Sequence, residues 1–215
     1  MYKKLLLVFV SIIAIQTAKA QTEKGSQSLG LQFGVGTQSS DLRSFNNSTN
    51  TYDPNVHGKS TFYSIVPTYS YFIADNLDLG LSVGYSRSTQ KFTTDQTYYL
   101  QELKDKSFIT SVYLRKYFLY ENKIGIRTGP RFTYQKSNSS SLYDQGPKYN
   151  YDYNLYTGGV GLDFVYFPLK KLGLTAALGG ADYTHQTNSG NSEGTTNRFN
   201  LSFANSLILS VNYIF

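Results

Sequence analysis

The 215-residue sequence contains no cysteine and no tryptophan, and only 16% of its residues are charged. Without cysteine, the chain can form no disulfide, no thiolate metal site and no lipid-modified N-terminal cysteine. No run of lysine and arginine follows residue 20, so the basic footprint of a nucleic-acid-binding protein is absent. Glycine (18), tyrosine (20) and phenylalanine (14) are abundant instead. Because aromatic side chains fit the pleated surface of strands, the composition favours a β protein over a helical bundle.

The first 20 residues have the three parts of a secretory signal peptide. Lys3 and Lys4 precede an apolar stretch from Leu5 to Ile15, and Ala18-Lys19-Ala20 fits the small-x-small cleavage rule. A membrane anchor is the alternative, but this stretch is about half the ~20 residues that a spanning helix needs. We therefore predict a signal peptide at residues 1–20 and a mature chain of residues 21–215. Cleavage removes three lysines and no acid, so the formal charge of +6 falls by three.

From Ser28 onward the sequence alternates apolar and polar residues with the period of a strand. No segment keeps a helical period long enough for a helix. In the clearest stretch, Leu77, Leu79, Leu81 and Val83 lie on one face. The pattern predicts eight strands, at approximately residues 28–38, 61–72, 77–87, 107–118, 123–135, 151–167, 172–185 and 198–215.

The connections between these stretches alternate strictly between short and long. Those after the second, fourth and sixth stretches have four residues each, and the others have 22, 19, 15 and 12. A barrel whose ends face different compartments has this asymmetry, with tight periplasmic turns and long extracellular loops, whereas a soluble sandwich has no reason for it. We therefore predict an all-β, eight-stranded antiparallel up-and-down barrel that spans the outer membrane, with both termini in the periplasm.

Alternation alone does not say which face points outward, because a soluble barrel buries its apolar face and a membrane barrel shows it to lipid. The polar face is rich in glycine and serine, which suits the narrow lumen of an eight-stranded barrel. Aromatic residues lie near strand ends, where girdles meet lipid headgroups: Tyr69, Tyr71, Phe72, Tyr117, Phe118, Tyr166 and Phe167. Both features favour a membrane barrel whose apolar face contacts lipid. A soluble lipocalin-like carrier with an apolar ligand inside is the less favoured alternative.

Four segments carry a family resemblance: the hairpin PTYSYFIADNLDLGLSVGY (Pro67 to Tyr85), VYLRKYF from Val112, GIRTGPRF from Gly125, and the closing LSVNYIF. In these segments and across residues 21–215, the chain resembles the small outer-membrane β-barrel domain family of Gram-negative bacteria, which includes the OmpA/OmpX-type barrels. The resemblance implies a last strand of alternating hydrophobic residues that ends in an aromatic residue and is read by the barrel-assembly machinery during insertion. The residues in those positions are Leu209, Val211, Tyr213 and Phe215.

Five charged residues occupy strand positions that alternate with the apolar residues and so should face the lumen: Asp78, Arg115, Arg127, Arg131 and Asp163. All but Arg131 are placed in the periplasmic half by their distances from the short turns. One hypothesis is a charged constriction that selects ions or small solutes. The other is a salt-bridged plug that stabilises a closed barrel, since charges in a confined interior persist only when paired. The small lumen of eight strands favours the plug.

The two histidines are the residues on which a catalytic or metal site would depend. Neither has a recognisable spacing to a serine and a carboxylate, although His57 has Asp53 and Ser60 nearby, and His185 has Asp182 and Ser189 or Ser192. Asp182 and His185 could share a metal ion, but no third ligand follows at a recognisable spacing. The sequence therefore predicts no catalytic residue, no metal ligand and no cofactor.

The predicted long loops are rich in Asn, Ser, Thr and Tyr, and one contains Tyr143, Tyr149, Tyr151, Tyr153 and Tyr156. Tyrosines suit the binding of glycans or protein surfaces, and they equally suit strands that extend above the bilayer. The parity of Tyr149, Tyr151 and Tyr153 places them in the lumen unless a β-bulge intervenes.

We expect a non-enzymatic outer-membrane protein with a structural or surface-interaction role, for which an accessory subunit of a larger outer-membrane assembly is one form. The expected partners are outer-membrane lipid and, through the loops, another outer-membrane protein, an extracellular protein or a glycan. A small-solute or ion channel is the alternative function, and conductance separates the two.

Overall fold

The computed structural model describes residues 21–42, 45–46, 50–52, 56–93, 100–143, 146, 148–190, 193–203 and 209–215. Residues 1–20 lie outside these ranges, so the signal peptide stays a prediction. The strands are β1 (Gln27–Leu42), β2 (Phe45–Asn46), β3 (Thr51–Tyr52), β4 (Val56–Ala74), β5 (Leu77–Thr93), β6 (Leu100–Tyr120), β7 (Ile124–Tyr143), β8 (Lys148–Leu169), β9 (Leu172–Gly190), β10 (Gly194–Phe203) and β11 (Leu209–Ile214). Among the described residues, no helix is long and apolar enough to cross a membrane.

The long strands form a closed antiparallel ring. Neighbours follow the order β1, β4, β5, β6, β7, β8, β9, and β11 pairs with both β9 and β1 to complete the circle. The eighth position is shared by β10 and β11, which pair with β9 in different registers on either side of residues 204–208, outside the described part. The predicted eight-stranded antiparallel up-and-down barrel is therefore confirmed, as is the fold that the family resemblance implies.

The two ends of the barrel differ, as predicted, but the strands are longer than the sequence pattern suggested. Two- and three-residue turns (residues 75–76, 121–123 and 170–171) define the turn end. There Asn76, Glu121 and Asn122 have φ of 59°, 49° and 55°, as tight hairpin turns require. At the opposite end, which we call the far end, β5 continues to Thr93 and β8 begins at Lys148. Much of the predicted long loops is thus strand, because polar Ser, Thr, Asn and Tyr continue the ladders without an apolar alternation.

The barrel is inverted relative to a soluble protein, with polar residues inside and apolar residues outside. Leu81 and Val112 point outward with 48% and 52% of their surface exposed. The buried polar residues include Ser28, Ser64, Ser70, Asp78, Ser82, Ser107, Arg127, Ser137, Ser139, Ser141, Thr175 and Asn212. The outward apolar residues include Leu29, Leu31, Phe33, Val35, Ile65, Leu79, Leu81, Val83, Phe108, Val112, Ile126, Phe132, Val160, Leu174 and Val211.

A small apolar cluster fills the lumen at the turn end, and it corrects part of the expected aromatic girdle. Its members are Phe72, Tyr117, Val165, Phe167 and Ile214, with Leu119 packed against them. Phe72, Tyr117 and Phe167 were expected on the outer surface, but they have the opposite parity to the outward residues of their strands and are buried. Tyr69, Tyr71, Phe118 and Tyr166 do face outward.

Residues 21–26, the N-terminal strap, cross the turn end of the barrel. The Gln21 amide donates to the Leu169 carbonyl at 3.2 Å, and the Thr22 hydroxyl donates to the Asn76 side chain at 2.6 Å. The Gly25 amide donates to the Phe72 carbonyl at 2.8 Å. Because Leu169 and Asn76 border different turns, the strap covers the lumen where the apolar cluster fills it.

Candidate functional site

The lumen holds a network of charged side chains in its turn-end half, and the network begins with Asp78. Asp78, on β5, is 0% exposed. Arg115, directly opposite on β6, donates from Nε to Oδ1 at 3.0 Å and from Nη2 to Oδ2 at 2.5 Å. The Tyr117 hydroxyl donates to Oδ2 at 3.1 Å. This bidentate geometry is the strong form of a charge-assisted hydrogen bond.

Arg127, on β7, extends the network from β6 to the next strand through Tyr117, its direct cross-strand partner. Its Nη1 donates to the Tyr117 oxygen at 3.2 Å, and its Nε donates to Asp163 Oδ2 on β8 at 2.8 Å. Its Nη2 lies 3.5 Å from the Thr175 hydroxyl, which in turn bonds to Ser210 on β11. Asp78, Arg115, Tyr117, Arg127 and Asp163 form what we call the lumen network. With Thr175 and Ser210 it joins six strands of the ring.

The fifth residue of the predicted charge cluster, Arg131, lies apart from the lumen network. It pairs with Asp182 on β9, donating from Nε to Oδ1 at 3.1 Å and from Nη2 to Oδ2 at 2.6 Å. The Arg131 side chain is 42% exposed, so solvent screens this pair more than the Asp78–Arg115 pair. The structure thus brings four of the five residues together and gives the fifth a different partner.

Tyr117 and Asp182 are partners of the charged residues that the sequence pattern did not identify as lumen residues. Tyr117 was expected in the girdle, although its odd number on a strand with even outward residues signals the lumen. Asp182 lies beyond a register shift, where β9 residues Ala177 and Gly179 pair with the consecutive residues Asp163 and Leu162. The extra residue inverts the parity of β9, so simple alternation could not place Asp182.

A cavity of about 370 Å³ lies in the lumen above the network. Its lining includes Arg115, Arg127 and Arg131, with Ser82, Ser111 and Thr133 on the surrounding walls. Nearer the turn end, Gly80 leaves space for the Tyr113 ring, since a Cβ there would come within 2.4 Å of it. The lumen therefore contains a partly open space lined by arginine, serine and threonine side chains, and the Tyr113 ring narrows it toward the turn end.

The interior of the far half is also occupied by hydrogen-bonded side chains. Ser107 and Ser137 bond to each other at 2.6 Å, and the Gln135 amide donates to both. The Tyr151 hydroxyl donates to Ser141 at 3.0 Å, and the Tyr153 hydroxyl lies 3.4 Å from Asp105. Burial raises the pKa of Tyr153. Pairing of β7 with β8 is continuous from residue 124 to residue 142, so no bulge intervenes and Tyr151 and Tyr153 face inward.

The two histidines have partners other than those that the sequence suggested. The His57 ring bonds to Asp41, while Asp53 lies outside the described residues. His185 Nδ1 lies 2.7 Å from Asn197 Oδ1. His185 and Asp182 are three residues apart on one strand and so lie on opposite faces, and Asp182 is engaged by Arg131. Within the described ranges, no group of three or more metal-ligating side chains is present.

The last strand carries the residues expected to be read during assembly. Val211 is exposed on the outer surface, while its neighbours Asn212 and Ile214 are buried. The rings of Tyr213 and Phe215 lie 6.2 Å apart, and the Phe215 amide donates to the Gln27 carbonyl at 2.9 Å. The side chain of Leu209 lies outside the described part of the structure.

The sequence matches no protein-family model and no curated protein. Among solved structures, the chain is similar to Neisserial surface protein A (15% identity, 88% of this chain and 97% of that chain, TM-score 0.38). It is also similar to Ail, the attachment invasion locus protein of Yersinia pestis (14% identity, 89% of this chain and 99% of that chain, TM-score 0.35). A third similar structure is that of a major outer membrane protein from Thermus thermophilus (13% identity, 88% of this chain and 99% of that chain, TM-score 0.41). The fold described above rests on this chain's own strand pairing.

Proposed function

We propose that this protein is an outer-membrane β-barrel with a closed lumen and a non-enzymatic structural or surface-interaction role. The observation that carries the proposal is the inverted barrel. Soluble monomers rarely expose a contiguous apolar patch larger than a few hundred Å², whereas here apolar residues cover the outer face of strand after strand. Within lipid, only a closed barrel satisfies all backbone groups of a β structure.

The height of the apolar surface matches the hydrocarbon layer of a membrane. On β8, outward Tyr166 and Tyr156 bound a segment that contains Val160. Ten residues rise about 33 Å along a strand, or about 25 Å along the membrane normal at the ~40° tilt of such barrels. Tyr156 stacks near Tyr134, with ring centroids 5.3 Å apart, as in an aromatic girdle. The far half of the barrel then projects beyond the membrane, on the extracellular side.

A structural rather than a transporting role is supported by three obstructions along the lumen. The N-terminal strap and the apolar cluster fill the turn end, and beside the cluster the lumen network places paired charged side chains of β5, β6, β7 and β8 in the interior. Serine and glutamine side chains occupy the far half. In this proposal the partners are outer-membrane lipid, the assembly machinery that reads Val211, Tyr213 and Phe215, and a protein or glycan that binds the projecting strands.

The channel alternative has one observation in its favour, the polar cavity of about 370 Å³ with three arginines in its lining. A soluble lipocalin-like carrier would need an apolar interior, which the serine-rich lumen does not offer.

Conductance distinguishes a closed scaffold from a channel. Purified mature protein, inserted into planar bilayers, should give no steady current steps, because paired charges and packed rings leave no continuous water path. A larger porin reconstituted from the same detergent serves as the positive control, since 16-stranded barrels leave an aqueous channel. Steady conductance of the wild-type protein would contradict the closed lumen and establish the channel instead.

A further inference from the structure

The outer surface of the far half carries a cationic patch that the proposed function does not use. Arg87, Lys104, Lys106 and Lys148 line a depression of about 280 Å³, together with Asn138 and Asn150. These residues come from β5, β6, β7 and β8. They face outward, because the alternating neighbours Ser107, Ser137, Ser139 and Ser141 are buried in the lumen.

The cations of the patch are poorly compensated by acids. Lys104 pairs with Glu102, and this is the one ion pair found for the four cations within the described ranges. Asp152 accepts a hydrogen bond from Asn138 at 2.6 Å, and Asp105 faces inward, where Tyr153 reaches it. No carboxylate of the described residues lines the depression.

Like charges are placed directly opposite each other in this part of the sheet. Arg87 pairs with Lys106 across β5 and β6. Lys59 pairs with Lys91 across β4 and β5, but Lys91 also pairs with the acid Glu102 on β6. Like charges directly opposite each other destabilise a sheet. A bound anion between Arg87 and Lys106 would replace that repulsion by attraction, so this pair points to an anionic ligand.

The edge of the patch nearest the apolar surface, formed by Arg87 and Lys106, lies at the level of lipid headgroups. Directly below the Arg87–Lys106 pair is the outward pair Tyr85–Phe108, at the upper border of the apolar surface. Two residues of strand separate the pairs, a rise of about 7 Å. The headgroup region adds roughly 5–7 Å to each side of the hydrocarbon core, so Arg87 and Lys106 stand at the depth of lipid phosphates.

We propose that the cationic patch binds the phosphate groups of a lipid in the adjacent outer leaflet, one whose headgroup carries more than one phosphate. Lys104 and Lys106 are spaced along β6 to contact two such groups, Arg87 offers a fork that can grip one of them bidentately, and the asparagine amides can bind headgroup hydroxyls. This inference rests on the proposed function, because it needs the barrel to stand in a membrane at this depth.

Native mass spectrometry of the mature barrel in neutral detergent micelles can test the proposal with bisphosphorylated lipid A as the probe. The patch variant is Arg87→Gln with Lys106→Gln, and the control is Lys123→Gln with Lys170→Gln, two exposed lysines at the turn end. At ~1 kcal/mol for each lysine or arginine near a charged lipid surface, the patch variant should bind the probe roughly thirtyfold more weakly. The control should stay within about twofold of wild type, and monophosphorylated lipid A should bind wild type more weakly.

Equal affinity of the patch variant and wild type for bisphosphorylated lipid A would overturn the proposal. Displacement of the probe by an equal concentration of inorganic phosphate would also overturn it, because the ligand would then be a free anion rather than a lipid. A protein that never enters detergent micelles or membranes would instead refute the proposed function. The two failures are therefore distinguishable.

Discussion

Replacing Asp78 by alanine should lower the free energy of unfolding by about 3–5 kcal/mol, because removing one partner of a buried ion pair leaves the other uncompensated. Asp78 is fully buried, and it accepts hydrogen bonds from both Arg115 and Tyr117. Without it, Arg115 keeps its charge in a narrow lumen with no acid in contact. Urea unfolding of the refolded barrel in lipid vesicles, followed by far-ultraviolet circular dichroism, measures the loss.

The matched control for this experiment is Asp182→Ala, which breaks the similar bidentate pair with Arg131. Because Arg131 is 42% exposed, water can solvate the freed guanidinium, and the loss should be about 1 kcal/mol or less. A double variant, Asp78→Leu with Arg115→Met, should recover most of the stability, since it removes both charges. Equal losses for Asp78→Ala and Asp182→Ala would show that the lumen network does not hold the barrel together.

Introducing arginine at Val160 should destabilise the protein in a bilayer by about 2–4 kcal/mol, the cost of a cation on the lipid face near the midplane. Val160 points outward and lies near the middle of the segment between Tyr156 and Tyr166, the tyrosines that border the apolar surface of β8. In a soluble barrel the same surface substitution would change stability by about 0.5 kcal/mol or less. The measurement is again unfolding by urea from vesicles.

Thr187→Arg is the control for the lipid face, because it lies outward on the neighbouring strand and beyond the tyrosine border. Thr187 pairs with Asn154 and Thr195, so the new arginine meets no like charge there. Its effect should be near 0–1 kcal/mol, as found close to the membrane interface. If Val160→Arg proved as mild as Thr187→Arg, Val160 would not be in contact with lipid.

The architecture could be predicted from the sequence because two of its signals are local. The alternation of apolar and polar residues, as from Leu77 to Tyr85, defines a strand and both of its faces. The short connections define one end of the barrel. The far half was less predictable, since residues such as Ser137, Ser139 and Ser141 continue the ladder with small polar side chains. Such strands are held by pairing and by side-chain hydrogen bonds rather than by an apolar face.

The candidate site could be predicted only for residues whose position follows from the alternation of strand faces and from their distance to the short turns. Parity brought Asp78 and Arg115 to the same level of adjacent strands, and Arg127 likewise to that of Asp163. Parity could not have placed Asp182, because the register shift on β9 depends on three-dimensional pairing. The cationic patch also went unnoticed, because its residues are scattered along four strands and become neighbours only through the register of the sheet.

The most direct test of the account is to measure which face of the strands touches lipid. Because the chain has no cysteine, single cysteines can be labelled with bimane at three neighbouring pairs, one outward and one lining the lumen cavity in each: Leu81 and Ser82, Val112 and Ser111, Phe132 and Thr133. Vesicles that contain brominated lipid should quench the labels at Leu81, Val112 and Phe132 strongly and their partners weakly. Equal quenching within the pairs, or stronger quenching at Ser82, Ser111 and Thr133, would contradict a barrel that shows its apolar face to a membrane.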